Sequence, residues 1–137
     1  FSKLLTLLKK LDLEKDVIFT GHIPKLDQIS LLKRSLAVIQ PTLFEGGSGG
    51  GSSYDAISLG HRLIISDISV NCEIEKNSNV NFFNTLSVDD LTNKLLKIIN
   101  TKFLRDNNNV LLESGRKRMI NCGMKLLYIA EEVVNKR

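Results

Sequence analysis

Short, largely apolar segments alternate with helix-like segments along this chain, and this alternation restricts the fold more than any other feature. The apolar segments are Val17–Thr20, Leu36–Ile39, Leu63–Ile65 and Val80–Phe83. Such brief apolar runs are typical of strands that are buried on both faces. Strands of this kind form parallel sheets that helices cover on both sides. The sequence therefore predicts an α/β fold with a parallel sheet flanked by helices.

Start and stop signals define the helices between these strands. Pro24 suits the start of one helix, and Ser52 or Ser53 is suited to cap the next, which Gly60 would close. Ser87 precedes a helix whose first turn is acidic. The remaining chain, from about residue 110 to residue 134, is predicted to form one or two helices.

A glycine-rich segment follows the second apolar segment directly. Five of the chain's nine glycines lie between Glu45 and Asp55. Because glycine has no Cβ, its backbone N–H group can approach an anion closely at a strand-to-helix junction. The carboxylate on each side supplies acceptors for sugar hydroxyls. The segment indicates a site for a phosphate-bearing sugar compound, and a flexible surface loop is the alternative interpretation.

The positive charge of the chain is concentrated in its tail. Residues 1–101 carry 11 basic and 11 acidic side chains, whereas residues 102–137 carry 8 basic and 4 acidic ones. Such a tail favours peripheral contact with an anionic membrane, and the alternative is a solvated helix face. Nucleic acid is not expected as a partner, because aromatic residues are only 6% and do not alternate with the basic ones.

Cysteine and histidine positions argue against disulfide and metal chemistry. Cys72 and Cys122 lie far apart without a CxxC motif, which favours reduced thiols and a cytoplasmic location. His22 and His61 have no neighbours at metal-ligand spacing, so no metal site is expected. The start at Phe1 has neither an initiator methionine nor a signal-peptide layout. We therefore expect the chain to be part of a longer protein.

Five motifs follow one another in a characteristic order: Val17–Gly21, Pro41–Gly46, Asp55–Gly60, Leu63–Asp67 and Glu73. Together they resemble the donor-binding half of glycosyltransferase family 4. Members of that family carry V-x-F-x-G, P-S-L-Y-E-G-F-G, E-A-x-x-x-G, P-V-I-x-S-D and a further glutamate in this order. The resemblance implies the C-terminal half of a GT-B fold that here lacks its first two strands.

This resemblance also implies a domain organisation and a reaction. Residues 1–137 would form a partial nucleotide-sugar-binding Rossmann-like domain, with residues 102–137 as a basic helical segment. The whole enzyme would transfer a sugar from a nucleoside-diphosphate donor to a hydroxyl acceptor with retention, without a cofactor or metal. Its missing N-terminal domain would bind the acceptor, so the chain alone is expected to be inactive. The alternative is a non-catalytic nucleotide- or phosphate-binding module of the same fold.

The resemblance assigns roles to individual residues. Glu45 matches the acid that contacts hydroxyls of the transferred sugar, and it is the predicted catalytic residue; as a bare sequence feature it is equally compatible with a turn. The predicted substrate-binding residues are Gly46, Gly47, Ser48, Gly49, Gly50, Gly51, Ser52, Asp55, His22 and Asp67.

Three departures from the family pattern concern the glycine loop and the sheet. The second acid of the family stands eight positions after the first, which is Ser53 here, and the nearest acid in register is Asp55. Arg62 replaces a common proline. The family's first two strands, with their Gly-Arg and Lys-containing diphosphate-binding segments, are missing.

Some candidates have alternative interpretations. Tyr54 either reaches a nucleotide base or packs as a helix residue, Asp55 is alternatively an acid on the helix surface, and Asp67 and Glu73 have structural alternatives.

The absent strands carry a prediction about the sheet. In the usual order 3-2-1-4-5-6 they lie between the strands at Val17 and Leu36. We therefore predict exposed strand edges, followed by dimerisation or a rearranged sheet.

Overall fold

Three parallel strands and five α-helices make up the described part of the chain in a computed structural model. The structure describes residues 1–47, 49–76, 79–103 and 107–135. The elements in chain order are α1 (Ser2–Lys10), α2 (Lys25–Arg34), β1 (Val38–Gln40), α3 (Gly50–Ser58), β2 (Leu63–Ser66), a 3-10 turn (Asn71–Glu73), β3 (Val80–Phe83), α4 (Val88–Asn100) and α5 (Asn108–Asn135).

The strands form one parallel sheet in the order β1-β2-β3. Val38 pairs with Leu63, and Leu63 pairs with Val80, so neighbouring strands start in register. The predicted α/β Rossmann-like sheet is therefore confirmed. Because all three strands run the same way, Gln40, Ser66 and Phe83 end them on one side, which we call the carboxyl edge.

Helices cover both faces of the sheet. Leu63 and Ile65 of the central strand pack under Ala56 of α3 and Leu32 of α2. Ile64 points to the opposite face, where it packs against Ile98 of α4. Burying each such aliphatic side chain contributes about 1.5–3 kcal/mol. This explains why the strands are short and apolar: their side chains meet helices on both sides.

The predicted strand at Val17–Thr20 is wrong. All four residues are exposed and have no strand structure, and Ile18 is 85% exposed. The Phe19 ring packs instead edge-on against the Phe1 ring, with 5.0 Å between their centroids. A strand needs a neighbouring strand to satisfy its backbone groups, and the described chain supplies none beside this segment. Sequence pattern alone therefore overestimated the number of strands.

The start of α3 also differs from the prediction. The N-cap is Gly49, not Ser52 or Ser53, and both serines lie inside the helix. Gly49 adopts a left-handed conformation with φ of +67°, which the sequence pattern did not reveal. At the other end, Gly60 follows the helix with φ of +59°, as predicted.

The cap of α4 confirms the sequence-based prediction. The Ser87 hydroxyl accepts a hydrogen bond from the Asp90 N–H at 3.1 Å. Asp89 and Asp90 lie in the first turn, where negative charge is favourable.

The last helix, α5, leaves the sheet and extends into solvent. From Met119 to Asn135 every residue is exposed. Within the described residues, no helix combines the length and apolar character needed to cross a membrane. Cys72 and Cys122 are both exposed free thiols.

Candidate functional site

A buried hydrogen-bond network around Asn71 holds three loops together at the carboxyl edge. The Asn71 amide donates to the Ser66 carbonyl at 3.0 Å and to the Ser66 hydroxyl at 3.2 Å. The Ser66 hydroxyl donates in turn to the Thr42 carbonyl at 2.6 Å. On its other side, the Asn71 carbonyl oxygen accepts a hydrogen bond from the Gly49 N–H at 2.9 Å. Because Asn71 and Ser66 are fully buried, the network fixes the glycine loop relative to β2.

Sequence reasoning missed Asn71. The residue lies in a 3-10 turn between Val70 and Cys72, where no motif or periodicity marks it. Its importance arises from contacts with residues that are 5 and 22 positions away along the chain.

Close packing requires a glycine at position 49. A Cβ on Gly49 would lie 2.5 Å from Ile74 Cδ1 and 2.9 Å from Ser53 Cβ. The backbone of the loop therefore lies directly against the core. Among the described residues, by contrast, no atom lies within 4 Å of a Cβ built on Gly46, Gly47 or Gly51.

Glu45 lies at the start of α3. Its Oε1 accepts a hydrogen bond from the Gln40 amide at 2.7 Å. Its Oε2 lies 3.2 Å from the position that a Cβ on Gly50 would take. The first N–H groups of a helix lack intrahelical acceptors and carry partial positive charge, so this position stabilises a negative charge. The half-buried carboxylate thus lies at the end of α3 that favours negative charge.

Gln40 links Glu45 to α3. Its side-chain oxygen accepts a hydrogen bond from the Ser52 hydroxyl at 3.4 Å while its amide holds Glu45. Gln40 is not among the residues predicted from the sequence, although a polar residue at the carboxyl end of an apolar strand is a candidate for a ligand site.

Asp55 lies on the side of α3 that faces α2. Its carboxylate forms an ion pair with Lys25, the first residue of α2. Together with Ser52 it lines a depression of about 290 Å³ between α2, α3 and β1. Lys25 was not predicted as a site residue. The structure thus connects Glu45 to Ser52 through Gln40, and it places Asp55 beside Ser52.

Asp67 bridges the ends of β2 and β3. Its Oδ1 accepts hydrogen bonds from the Thr85 hydroxyl at 2.6 Å and from the Thr85 N–H at 2.7 Å. These two hydrogen bonds hold the pKa of Asp67 below its ordinary value of 3.8, and the Thr85 hydroxyl has a larger effect than the Thr85 N–H. The carboxylate therefore joins two loops of the carboxyl edge in its ionised form.

This arrangement predicts a pH dependence of stability. Because the pKa is lower in the folded state, ionised Asp67 stabilises the fold above pH 3.8, and this contribution disappears as the pH falls through the folded-state pKa. We expect Asp67→Asn to lower the free energy of unfolding at neutral pH and to match the wild type at acidic pH. Urea unfolding across this range measures the difference. Asp16→Asn, at an exposed position in a turn, is the control; an equal loss in both variants, or a loss independent of pH, would contradict the prediction.

The other predicted site residues are not joined to this cluster by the described hydrogen bonds. His22 is exposed in the loop before α2, and Tyr54 is 44% exposed on α3. Glu73 is exposed at the end of the 3-10 turn. Ser48 lies outside the described residues.

An apolar depression of about 280 Å³ lies at the same edge. Leu43, Leu86 and Leu91 are among its lining residues. Leu86 has a φ of +67°, which is rare for a residue with a side chain, and it is 81% exposed. The carboxyl edge thus offers a helix start that favours anions together with an apolar surface. Among the described residues, no three His, Cys, Asp or Glu side chains are grouped so that they could hold a metal ion.

Comparison with known proteins identifies one family. A family model described as "Glycosyl transferases group 1" matches residues 1–118. The matched segment includes the whole sheet and every residue of the carboxyl edge. Searches of curated proteins and of solved structures gave no match.

Proposed function

Because the chain belongs to the group 1 glycosyl transferases, we propose that it binds the nucleoside-diphosphate-sugar donor of a sugar-transfer reaction. The sugar passes to a hydroxyl acceptor with retention of anomeric configuration. The chain is the C-terminal half of a GT-B enzyme, and an N-terminal half binds the acceptor. The donor is a substrate, and neither a cofactor nor a metal takes part.

The observation that supports this proposal most directly is the start of α3. There, glycine backbone, the helix N-terminus and the Glu45 carboxylate meet at one point of the carboxyl edge. Backbone N–H groups of the first turn bind the diphosphate of the donor and stabilise its charge as it leaves. The chemistry is electrostatic, so it needs no nucleophilic side chain.

Glu45 acts on the sugar in this proposal. A donor whose diphosphate binds at the helix start brings its sugar next to this carboxylate. The carboxylate accepts hydrogen bonds from sugar hydroxyls and stabilises positive charge that develops at the anomeric carbon. Gln40 is a positioning residue, because its hydrogen bond to Oε1 orients Glu45.

Asp55 takes the role of the second family acid. Its described contact with Lys25 uses Oδ2, so Oδ1 accepts hydrogen bonds from the ribose hydroxyls. Lys25 offsets the charge of Asp55 and fixes its rotamer. His22, in the loop before α2, and Asp67, after β2, are proposed to line the donor cleft.

Three further proposals concern location and assembly. The enzyme works in the cytoplasm, where the basic tail contacts the anionic face of a membrane. The outer edge of β1 pairs with strands of the longer protein. The chain in isolation therefore dimerises through this edge.

A calorimetric screen of UDP-, GDP- and ADP-sugars against the full-length enzyme tests the donor assignment. We expect one nucleotide class to bind, and Asp55→Asn to weaken its binding about 10- to 100-fold. This range corresponds to the roughly 1.5–3 kcal/mol of one charge-assisted hydrogen bond. Asp89→Asn, an exposed acid of α4, is the matched control and should bind like the wild type.

Two outcomes would contradict the proposal in different ways. If none of the three donor classes binds, the chain is not a donor-binding domain. If a donor binds but no acceptor ever receives the sugar, the chain is a non-catalytic nucleotide-binding module.

A further inference from the structure

A polar pocket opens at the end of the sheet opposite to the carboxyl edge. It has a volume of about 290 Å³ and lies beside Arg62 and Asn79, which precede β2 and β3. Its lining includes Arg62, Asn79, Asn81, Lys97, Lys102 and Phe103. This amino-edge pocket takes no part in the proposed donor site, which lies at the carboxyl edge.

Arg62 is a buried cation that contacts carbonyl oxygens and no described carboxylate. Its residue is only 5% exposed. Nη1 donates to the Ile98 carbonyl at 2.7 Å, and Nη2 donates to the Thr101 carbonyl. The guanidinium carbon lies 4.6 Å from the centre of the Phe103 ring. These hydrogen bonds use two of the five N–H groups of a guanidinium, and the ion pairs found among the described residues do not include Arg62.

Among the described residues, the groups that line the pocket do not balance its positive charge. The C-terminus of α4, which Arg62 caps, contributes about half a negative charge. Lys97 and Lys102 add two positive charges to that of Arg62, and no described lining residue is acidic. A buried charge ordinarily has a counter-charge. At the same wall the Asn79 amide donates to the Gly60 carbonyl and the Asn81 amide donates to the Asn79 carbonyl, each at 3.4 Å. The NH2 group of Asn81 carries a second N–H that can donate to a ligand.

We propose that the amino-edge pocket binds a phosphate group, either as inorganic phosphate or at the end of a small phosphate ester. Arg62 supplies the fixed, partly desolvated positive charge. Lys97 and Lys102 extend from the surface and close on the anion from the solvent side. A pocket of about 290 Å³ is at the small end of the range for ligand sites, so the ligand is a small molecule rather than a polymer.

A site-resolved NMR titration of the chain with inorganic phosphate tests this proposal. Ionic strength is held constant, and chloride serves as the reference anion. We expect saturable shifts of the Arg62 Nε–H and of the Asn81 side-chain amide. Glycerol 3-phosphate forms a second arm: tighter binding than phosphate identifies an ester as the ligand, and equal binding identifies the free anion.

Two charge-matched double variants provide the control. Lys97→Gln with Lys102→Gln should weaken phosphate binding at Arg62 at least tenfold, and both positions are exposed, so the fold is retained. Lys9→Gln with Lys10→Gln removes the same charge from α1 and should leave binding unchanged.

Three results would overturn the proposal. The first is the absence of saturable shifts at Arg62. The second is an equal loss of affinity in both double variants, which would indicate net charge alone. The third is a response confined to the backbone of residues 49–52, which would assign phosphate binding to the start of α3 alone and leave the donor-site proposal intact.

Discussion

Replacing Glu45 by glutamine in the full-length enzyme is expected to lower kcat about 100- to 1000-fold. Glutamine has the same shape as glutamate, and its side-chain oxygen can still accept the hydrogen bond from Gln40, but it carries no negative charge. Loss of one positioned electrostatic group in an active site costs about 2.7–4 kcal/mol of transition-state stabilisation. The loss should appear in kcat, because in the proposed mechanism the positive charge that Glu45 stabilises is larger in the transition state than in the bound donor.

Donor affinity should change little in the same variant. In the proposed binding mode the diphosphate contacts backbone N–H groups that the substitution does not touch, and removing a nearby negative charge reduces repulsion. Initial rates over a range of donor concentrations separate kcat from KM. Glu113→Gln, an exposed acid of α5, is the control and should retain the wild-type rate. A Glu45→Gln enzyme with near-normal kcat would exclude Glu45 from the chemistry.

Gly49→Ala should destabilise the chain by about 2–5 kcal/mol. A left-handed conformation costs a residue with a Cβ about 1–2 kcal/mol, and Gly49 has φ of +67°. Overpacking adds about 1–3 kcal/mol, because the new methyl group would lie 2.5 Å from Ile74 Cδ1 and 2.9 Å from Ser53 Cβ. Relief of this contact requires the loop to move, which strains the hydrogen bond between Gly49 and Asn71.

Gly51→Ala is the matched control, two positions along the same loop. It adds the same methyl group, but nothing lies within 4 Å of it. Alanine is favoured over glycine inside a helix by about 1 kcal/mol, so this variant should be as stable as the wild type or more stable. Urea unfolding midpoints give both differences. Equal stability of the two alanine variants would show that the loop is not packed as described.

The parts of the fold that local sequence determined are those in which neighbouring residues decide the conformation. The apolar runs that became β2 and β3 were identified from their composition. Ser87 was identified as the cap of α4 because its partner is three residues away. The glycine loop was recognised from its composition, because clustered glycines allow positive φ angles and a close approach of the backbone to other groups.

The predictions failed where residues far away along the chain determine the local conformation. Val17–Thr20 has the composition of a strand, but a strand forms only against a neighbour, and the described chain offers none there. The start of α3 was placed at Ser52 or Ser53, since the pattern did not reveal that Gly49 is anchored by Asn71 from 22 positions away.

The candidate site shows the same division. Residue types and their order along the chain predict an anion-binding loop with an acid on each side, because that chemistry depends on local backbone freedom and charge, and this remains a prediction. Tertiary structure alone decided which groups meet. It placed Glu45 against Gln40, paired Asp55 with Lys25 and buried Arg62 under Phe103. Such pairings depend on how helices pack across a sheet, and that packing brings together residues whose separation along the chain carries no signal.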